Sequence, residues 1–319
     1  MQLVLSTHLF VKHRLTTIWL ERVWDAGFPT VEIFCARQHI DYRDNAQISE
    51  LGHWFRDSQL KLHSLHSPMY NDDIWGRSGP QAIVDITEPT KGKRMMMVDE
   101  VKRAIEIAET VPFRYLIQHL GVAGQEFDDR RVEAAFSSLE EIKVFASQRG
   151  VEVLLENTPN QLSTAERLNS FLAETHLNLG YCFDIGHAHM TGRMQDEFEL
   201  MKARIRSTHI HDNDGKEDQH LFPGEGSIDW SRAMQFLASR PEQYPLLLEL
   251  KEPARMERPI DEAKRSADEL LARQPSDAWS TQPSNSNDLA KPSRSALPGQ
   301  LLRSENGIKF SGGAIRPER

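Results

Sequence analysis

Short apolar runs rich in β-branched residues recur along most of this 319-residue sequence, and longer segments separate them. Eight such runs predict strands, at positions 2–7, 30–34, 61–66, 115–119, 151–157, 180–184, 207–211 and 245–250. The intervening segments have helical periodicity, most clearly at 98–109, 131–149 and 164–174. Strands that alternate with helices form parallel βαβ units. The sequence therefore predicts an α/β fold of the (β/α)8 or TIM barrel type.

A doubly wound open sheet is the alternative to a barrel. No G-x-G-x-x-G motif follows the first predicted strand, which disfavours a dinucleotide-binding version of that fold. We therefore expect no nucleotide cofactor. At the start of the helix predicted at 164–174, Ser163 and Glu166 have the spacing of a capping box, with Ser163 as the N-cap residue.

The alternation of strands and helices extends to residue 273 and then stops. From 274 to 319, Ser, Pro, Asn, Gln and Gly dominate and no apolar periodicity remains. A segment of this composition cannot bury enough apolar surface to fold. We therefore predict a barrel domain over 1–273 and a disordered, low-complexity tail over 274–319. One connection within the barrel, at 67–92, is unusually long, and it is interpreted either as a lid over the mouth or as a passive surface excursion.

The charge and the cysteine content restrict the partners and the compartment. The formal net charge is −9, and an acidic surface repels a phosphate backbone. Nucleic acid is therefore a disfavoured partner, although the charge alone does not exclude it. No apolar stretch reaches the roughly 18 residues of a membrane-spanning helix, so we expect no membrane partner. Cys35 and Cys182 lie in apolar runs and are interpreted as buried free thiols, which fits a reducing cytoplasm.

Nearly every predicted strand ends in a side chain that can bind a metal ion. These side chains belong to His66, His119, Glu156, Asp184, His209 and Glu249. In a (β/α)8 barrel the carboxyl ends of the strands meet at one mouth, where active sites are built. Imidazole and carboxylate groups gathered there without a cation would repel one another or stay unpaired. Any one of these residues alone is more often a core histidine or a surface carboxylate, but their recurrence at the same strand end predicts a divalent metal site.

Further candidate ligands follow strands six and seven. His187 lies three residues after strand six, and the competing interpretation is an ordinary residue at a helix start. Asp218 and His220 are two residues apart in a polar segment and could bind one ion together, and the competing interpretation is a surface loop. His209 and His211 share a face of strand seven, because alternate residues of a strand point the same way. Mixed ligands of this kind suit Mn, Zn, Co or Fe, and a single-ion site would favour Mn or Mg.

Four segments of the sequence resemble a single superfamily. They are LLENTPN at 154–160, FDIGHAH at 183–189, THIHDNDGKEDQHLFPGEGSIDW at 208–230 and LLLELK at 246–251. Together and in this order they resemble the xylose-isomerase-like barrel superfamily. That superfamily contains sugar isomerases and epimerases, inosose dehydratases and the endonuclease IV family of apurinic-site nucleases. The resemblance covers about residues 1–273, and it is specific for the superfamily rather than for one substrate.

The resemblance implies which residues hold the metal. In the epimerase and isomerase members two glutamates, an aspartate and a histidine bind one ion, and the two glutamates also transfer the proton. The matching residues here are Glu156, Glu249, Asp184 and His209. In the nuclease members further ligands come from strands three and four and from the loop after strand seven. The residues that match those ligands are His66, His119, His187, Asp218 and His220.

The first functional interpretation is a divalent-metal-dependent isomerase or epimerase of a small sugar, sugar phosphate or cyclitol. One of Glu156 and Glu249 would remove a carbon-bound proton, the other would return it, and the metal would stabilise the enediolate. Expected substrate contacts come from the same mouth. They are His187, Glu32, Asn157, His211 and Trp75.

Two other interpretations remain open. A multi-metal phosphodiesterase or apurinic endonuclease, using Zn, is favoured by the nine filled ligand positions and disfavoured by the acidic charge and the lack of an obvious basic cluster. A non-catalytic metal-binding barrel is the third, because a fold does not determine a function. The sequence leaves a homo-oligomer open and does not specify the substrate.

Overall fold

The computed structural model describes residues 1–240 and 244–273, and the tail predicted for 274–319 lies outside the described residues. Eight parallel strands form the barrel. They are β1 (Leu3–Ser6), β2 (Thr30–Phe34), β3 (Lys61–His66), β4 (Tyr115–Gln118), β5 (Glu152–Glu156), β6 (Gly180–Asp184), β7 (Ile205–His209) and β8 (Leu246–Leu248). Successive strands from β1 to β7 are hydrogen-bonded neighbours, and β1 also pairs with β8.

The segment after β7 completes the ring by pairing with β8. Ile210 forms a parallel bridge with Leu248. The backbone N–H of Ile210 donates to the carbonyl of Leu247 at 2.8 Å, and the N–H of Glu249 donates to the carbonyl of Ile210 at 3.1 Å. The barrel predicted from the strand pattern is therefore confirmed.

Helices connect the strands. Those of the described residues are α1 (Thr17–Asp25), α2 (Asn45–Asp57), α3 (Lys91–Ile105), α4 (Asp129–Ser147), α5 (Ala165–Glu174), α6 (Ile185–Met190), α7 (Met194–Met201), α8 (Trp230–Leu237) and α9 (Pro259–Ala272). The helix predicted at 98–109 begins earlier, because the first two turns of α3 are mostly exposed and carry no apolar periodicity, and it ends in a 3-10 helix, Glu106–Glu109. No helix of residues 1–240 and 244–273 is long and apolar enough to cross a membrane.

The start of α5 differs from the predicted capping box. Thr164 is the N-cap residue, and its hydroxyl accepts a hydrogen bond from the N–H of Arg167 at 3.3 Å. Ser163 is fully buried, and its hydroxyl donates to the carbonyl of Leu120 at 2.6 Å. Ser163 is therefore not the cap, because its hydroxyl ties the chain after β5 to the chain after β4.

The long connection at 67–92 is ordered against the mouth. Tyr70 and Ile83 form an antiparallel bridge within it, and a 3-10 helix, Gly79–Ala82, precedes Ile83. The ring of Trp75 lies 5.2 Å from the ring of Phe34 at the end of β2. This is the location that the lid interpretation requires.

An apolar layer inside the barrel supports the mouth from below. Leu154 and Cys182 belong to a small buried cluster that is separate from the main core. Two residues further along the same strands come Glu156 and Asp184. Because alternate strand residues share a face, the apolar layer forms the floor beneath these carboxylates. Cys35 and Cys182 are both buried and free, as the sequence predicted.

Candidate metal centre at the mouth of the barrel

Side chains at the carboxyl ends of β5 to β8 converge inside the mouth. We call Glu156, Asp184, His209 and Glu249 the four-ligand group, because their ligand atoms all lie within 4.8 Å of one another. All four side chains are buried. Nδ1 of His209 is 3.0 Å from Oε1 of Glu156 and 3.3 Å from Oε2 of Glu249. The same nitrogen is 3.9 Å from Oδ2 of Asp184.

The chemistry of the four-ligand group fits a divalent cation. Three buried carboxylates face one imidazole, which cannot balance three negative charges. A buried carboxylate without a partner costs several kcal/mol, roughly, so this arrangement is stable only with added positive charge or with protons on the carboxyl groups. Mixed carboxylate and imidazole donors suit Mn, Zn, Co or Mg. These four residues are therefore the ones that would hold the ion.

The two glutamates of the four-ligand group differ in acidity. Burial raises the pKa of Glu249 to about 8, against the opposing charges of His209 and His220. Burial also opposes ionisation of Glu156, but the charges of His209 and His119 outweigh it and hold the pKa of Glu156 well below its usual range. In the metal-free protein, one glutamate is therefore largely protonated at neutral pH while the other is ionised.

A second cluster, the two-histidine group, consists of His66, His119 and Glu156. The Nε2 atoms of the two histidines are 3.3 Å apart. They lie 3.7 Å and 3.0 Å from Oε2 of Glu156. Burial, followed by the charge of His119, lowers the pKa of His66 to about 4. His66 is therefore neutral at physiological pH, which is the form in which histidine binds a metal.

A third cluster, the three-histidine group, consists of His187, His211, Asp218 and His220. Oδ2 of Asp218 is 3.2 Å from Nε2 of His187 and 3.3 Å from Nε2 of His220. Nε2 of His211 is 3.6 Å from Oδ1 of Asp218, and its ring stacks on that of His220 with the centroids 4.0 Å apart. The structure therefore brings all nine sequence-predicted ligands into three adjoining clusters.

His220 has a strained backbone. Its φ is 49°, and it is the single non-glycine residue with positive φ in the part of the chain that the structure describes. Its Nδ1 lies 2.8 Å from the carbonyl oxygen of Glu249, which leaves Nε2 facing Asp218. Strain of this kind costs of order 1–3 kcal/mol and is found at functional sites where the surroundings fix it.

A buried carboxylate, Asp212, anchors the connection that carries the three-histidine group. It accepts hydrogen bonds from the N–H groups of Gly224 and Ile228, at 2.8 Å and 3.1 Å. It also accepts one from Nε1 of Trp230 at 2.8 Å. Sequence reasoning missed this role, because nothing in the sequence distinguishes Asp212 from the acidic residues beside it.

Three residues predicted to contact substrate lie behind the cavity wall instead. Asn157 donates from Nδ2 to the carbonyl of Asp184 at 2.9 Å, and its Oδ1 accepts from the N–H of Asp184 at 2.8 Å. Glu32 is fully buried beside His209, 3.3 Å from Nε2. His211 is fully buried, with Nε2 3.2 Å from Oδ2 of Asp184. Each is placed to orient a ligand of the four-ligand group.

The mouth encloses a cavity of about 270 Å³. Most of the predicted site residues reach it. Those that line it are His66, His119, Glu156, His187, Asp218, His220, Glu249 and Trp75. Phe34 and Met69 add an apolar side, and Lys12 and Lys251 add positive charge. Sequence reasoning missed these four residues, because neither aromatic packing nor a surface lysine has a distinctive pattern in one sequence.

His8 is a further cavity residue that sequence reasoning missed. It lies in the 3-10 helix Thr7–Phe10, directly after β1. Its ring is 4.7 Å from the ring of His220 and 4.8 Å from that of Phe34. Its Nδ1 is 3.0 Å from the carbonyl oxygen of Leu250, so Nδ1 carries the proton and Nε2 is an acceptor. His8 directly follows the predicted strand 2–7, so the pattern of histidines and carboxylates at strand ends contains a signal for it.

The fold and the mouth define a class of protein. A family model described as the xylose isomerase-like TIM barrel matches residues 20–273. The chain therefore belongs to the xylose isomerase-like TIM barrel family, and the resemblance seen in its sequence motifs is confirmed.

Two curated proteins are similar to this chain in sequence. The uncharacterised protein MJ1311 of Methanocaldococcus jannaschii is 27% identical over 249 residues, which cover 74% of this chain and 79% of the relative. A probable endonuclease 4 of Natronomonas pharaonis is 26% identical over 166 residues, which cover 46% of this chain and 59% of the relative.

Solved structures share the fold. A D-tagatose 3-epimerase-like protein superposes with a TM-score of 0.69 at 24% identity, covering 85% of this chain and 97% of the other. The IOLI protein, solved with a bound zinc atom, gives a TM-score of 0.67 at 18% identity, covering 86% and 99%. At these identities the likeness concerns the fold alone.

Proposed function

We propose that this chain is a divalent-metal-dependent isomerase or epimerase of a small sugar, sugar phosphate or cyclitol. One observation carries the proposal. Glu156 and Glu249 both reach the wall of the 270 Å³ cavity, and both lie within 3.3 Å of Nδ1 of His209. Two carboxyl groups at one small cavity can take a proton from one position of a substrate and deliver a proton to another.

The four-ligand group would hold the ion, through Glu156, Asp184, His209 and Glu249. When bound there, a divalent metal supplies Lewis acidity towards substrate oxygens. The protein contributes the orientation of the ligands. Asn157 holds the backbone of Asp184 at both its N–H and its carbonyl, and Glu32 faces the far nitrogen of His209. Supports of this kind fix the geometry of ligands and so the affinity of the site.

The reaction assigned to these groups is proton transfer next to a carbonyl. One of Glu156 and Glu249 removes the proton from the carbon beside the carbonyl, and the other returns a proton to the substrate. Return to the same carbon on its opposite face gives an epimer, and return to the neighbouring carbon gives an aldose–ketose pair. Nε2 of His8 is an acceptor directed by the bond at Nδ1, and it is suited to a substrate hydroxyl.

The cavity favours a small polar substrate. A volume of about 270 Å³ is suited to a molecule of sugar size. Phe34, Met69 and Trp75 form one apolar side, suited to the C–H face of a sugar ring. Lys12 and Lys251 lie at the same cavity and are suited to a negatively charged substituent. The likeness of fold to a D-tagatose 3-epimerase-like protein supports this substrate class.

The test follows exchange of substrate hydrogen with solvent. The manganese-loaded protein is incubated with ketoses and ketose phosphates in D2O, and deuterium uptake is read by NMR. We expect Glu156→Gln and Glu249→Gln each to lower the exchange rate by roughly a thousandfold, because each removes a proton carrier. Glu140→Gln, on the exposed face of α4, is the matched control and keeps the wild-type rate.

Both glutamates are also proposed ligands, so the metal content of every sample is measured. If a Gln variant loses its metal, Glu249→Asp keeps the carboxylate and withdraws it by about one bond length. We expect that variant to bind the metal and exchange hydrogen slowly. Wild-type exchange in a metal-loaded Glu249→Gln protein contradicts the proposal, as does a wild-type protein that exchanges no sugar-type substrate.

A multi-metal phosphodiesterase is the second candidate. The observation that favours it is the presence of the two-histidine and three-histidine groups beside the four-ligand group, since a single-ion site does not need them. The partial match to a probable endonuclease 4 also supports it. It predicts two to three zinc ions per chain and hydrolysis of an abasic DNA duplex or of bis(p-nitrophenyl) phosphate. His119→Ala would abolish that hydrolysis.

A further inference from the structure

A second cavity, of about 250 Å³, lies at the opposite end of the barrel. Residues at or next to the amino ends of six strands line it. Among them are Gln2, Thr30, Lys61, His63, Arg114 and Arg206. This end of the barrel is remote from the mouth, because parallel strands place their amino ends on one face and their carboxyl ends on the other. We call this cavity the basal cavity.

The basal cavity is positively charged. Lys61, Arg114 and Arg206 all line it, and among the described residues none of the three forms an ion pair. Glu152 pairs with Tyr115 in the β4–β5 ladder, and its carboxylate and the side chain of Arg206 both lie beside Gly180. Among the described residues Glu152 forms no ion pair. Three unpaired cations around one cavity are unexpected in a chain whose net charge is −9. A bound anion would relieve the mutual repulsion of these three charges.

A β-bulge places a further polar side chain at the basal cavity. In the β2–β3 ladder Val31 pairs with Leu62 and Glu32 pairs with Ser64, so His63 has no partner on β2. Nε2 of His63 is 3.3 Å from the hydroxyl oxygen of Ser207 on β7. Bulges of this kind re-aim a side chain, and they are over-represented next to functional sites.

Aromatic contacts hold the basic rim in place. The guanidinium carbon of Arg114 is 5.0 Å from the centroid of the Tyr115 ring. The Tyr115 ring in turn contacts the edge of the His63 ring, with the centroids 5.2 Å apart. One guanidinium N–H of Arg206 donates to the carbonyl of Ile205 at 2.9 Å, and its other donors make no hydrogen bond to the described residues. A preordered guanidinium loses little entropy when it binds an anion.

We propose that the basal cavity binds a small anion of the phosphate type, separately from the mouth. Arg114 and Arg206 would each direct N–H donors at its oxygens, and Lys61 would add a third charge. Guanidinium groups recognise tetrahedral oxyanions through paired hydrogen bonds, which favours phosphate over chloride. Gln2 and Thr30, which also line the cavity, supply neutral hydrogen-bonding groups.

Titration calorimetry of the purified, metal-loaded protein with inorganic phosphate and with pyrophosphate tests the proposal. We expect binding at the basal cavity with a dissociation constant at or below about 1 mM. Arg206→Gln and Lys61→Gln should each weaken binding about tenfold, because each removes one charge-assisted contact. Lys93→Gln, on the exposed start of α3 and outside both cavities, is the matched control and should leave the affinity unchanged. Lys12→Gln reports any phosphate that binds at the mouth instead.

Thermal melting separates a binding role from a structural one. Phosphate should raise the melting temperature of the wild-type protein above that in chloride of equal ionic strength, because a ligand stabilises the folded state that binds it. Arg206→Gln should melt no lower than wild type in chloride and should lose the phosphate effect. The proposal is overturned if the wild-type protein binds neither anion, if only Lys12→Gln weakens binding, or if Arg206→Gln destabilises equally in both salts.

Discussion

Protonated histidines occupy the three-histidine group when no metal is bound. Burial opposes a charge on His220, but Asp218 outweighs it and raises the pKa of His220 to about 9. Burial likewise opposes a charge on His187, and Asp184 and Asp218 outweigh it and raise the pKa of His187 well above its usual value. Both rings are therefore charged at neutral pH, and a metal ion must displace their protons before it binds.

This competition predicts a pH dependence for zinc affinity. A raised pKa means that protons are held below about pH 9, so affinity should rise with pH up to that value and fall as the pH is lowered. For each proton that the metal displaces, the zinc affinity should rise about tenfold per pH unit. A chelator competition assay on the wild-type protein and on His220→Gln measures the slopes, and the variant should show the smaller one. A slope near zero between about pH 6 and pH 8 would show that His187 and His220 are not ligands.

At the scale of single residues, the sequence predicted which candidate ligands converge better than it predicted which side chains line the cavity. Ligands end strands, and strand ends can be read from apolar runs, so Glu156 and Asp184 were identifiable from position alone. Whether a side chain reaches the cavity depends on its neighbours. Glu32 on β2 and His211 just after β7 are fully buried and do not line the cavity, whereas His8 reaches the cavity from a 3-10 helix after β1.

The turn from β6 into α6 links the four-ligand and three-histidine groups. Gly186 lies in the first turn of α6, where a Cβ atom would come within 2.0 Å of Cε1 of His211. Gly186→Ala should therefore push His211 out of place and destabilise the fold by about 1–3 kcal/mol. It should also weaken zinc binding. Urea unfolding and zinc content measure both effects.

Gly92→Ala is the matched control for Gly186→Ala. Gly92 lies near the start of α3, and a Cβ atom there would meet nothing within 4 Å. Alanine favours a helix over glycine, so this variant should be as stable as wild type or slightly more so. Equal stability and equal zinc content in the two variants would contradict the close packing of Gly186 against His211.

At the scale of elements, the apolar pattern predicted which elements form better than where they begin. The predicted strand ends lie within two residues of those in the structure, because each strand is a short, distinct apolar run in the sequence. The start of α3 was missed by seven residues, since its exposed first turns have no apolar side to reveal them. The predicted N-cap residue of α5 is one residue too early. The hydroxyl of Ser163 bonds to the carbonyl of Leu120, and the sequence around Ser163 does not reveal a contact with so distant a residue.

The whole molecule separates its charges along the barrel axis. Buried carboxylates and histidines gather at the mouth, and three basic residues that form no ion pair with the described residues line the basal cavity. The barrel and the mouth could be predicted because alternation and strand-end ligands are properties of the sequence. The basal cavity could not, because it depends on the bulge at His63 and on the closure of β7 against β8, which place residues distant in sequence side by side.

The measurement that tests the central proposal most directly is solvent-hydrogen exchange into a ketose substrate as manganese is added back to chelator-treated protein. If the four-ligand group is the catalytic centre, the protein without metal should show no exchange. The exchange rate should then rise linearly with added manganese and reach its maximum at one equivalent per chain. Exchange that persists after chelation would contradict a metal-dependent reaction. Absence of exchange at every ratio, with hydrolysis of a phosphodiester at two or three equivalents of zinc, would assign the mouth to phosphodiester chemistry instead.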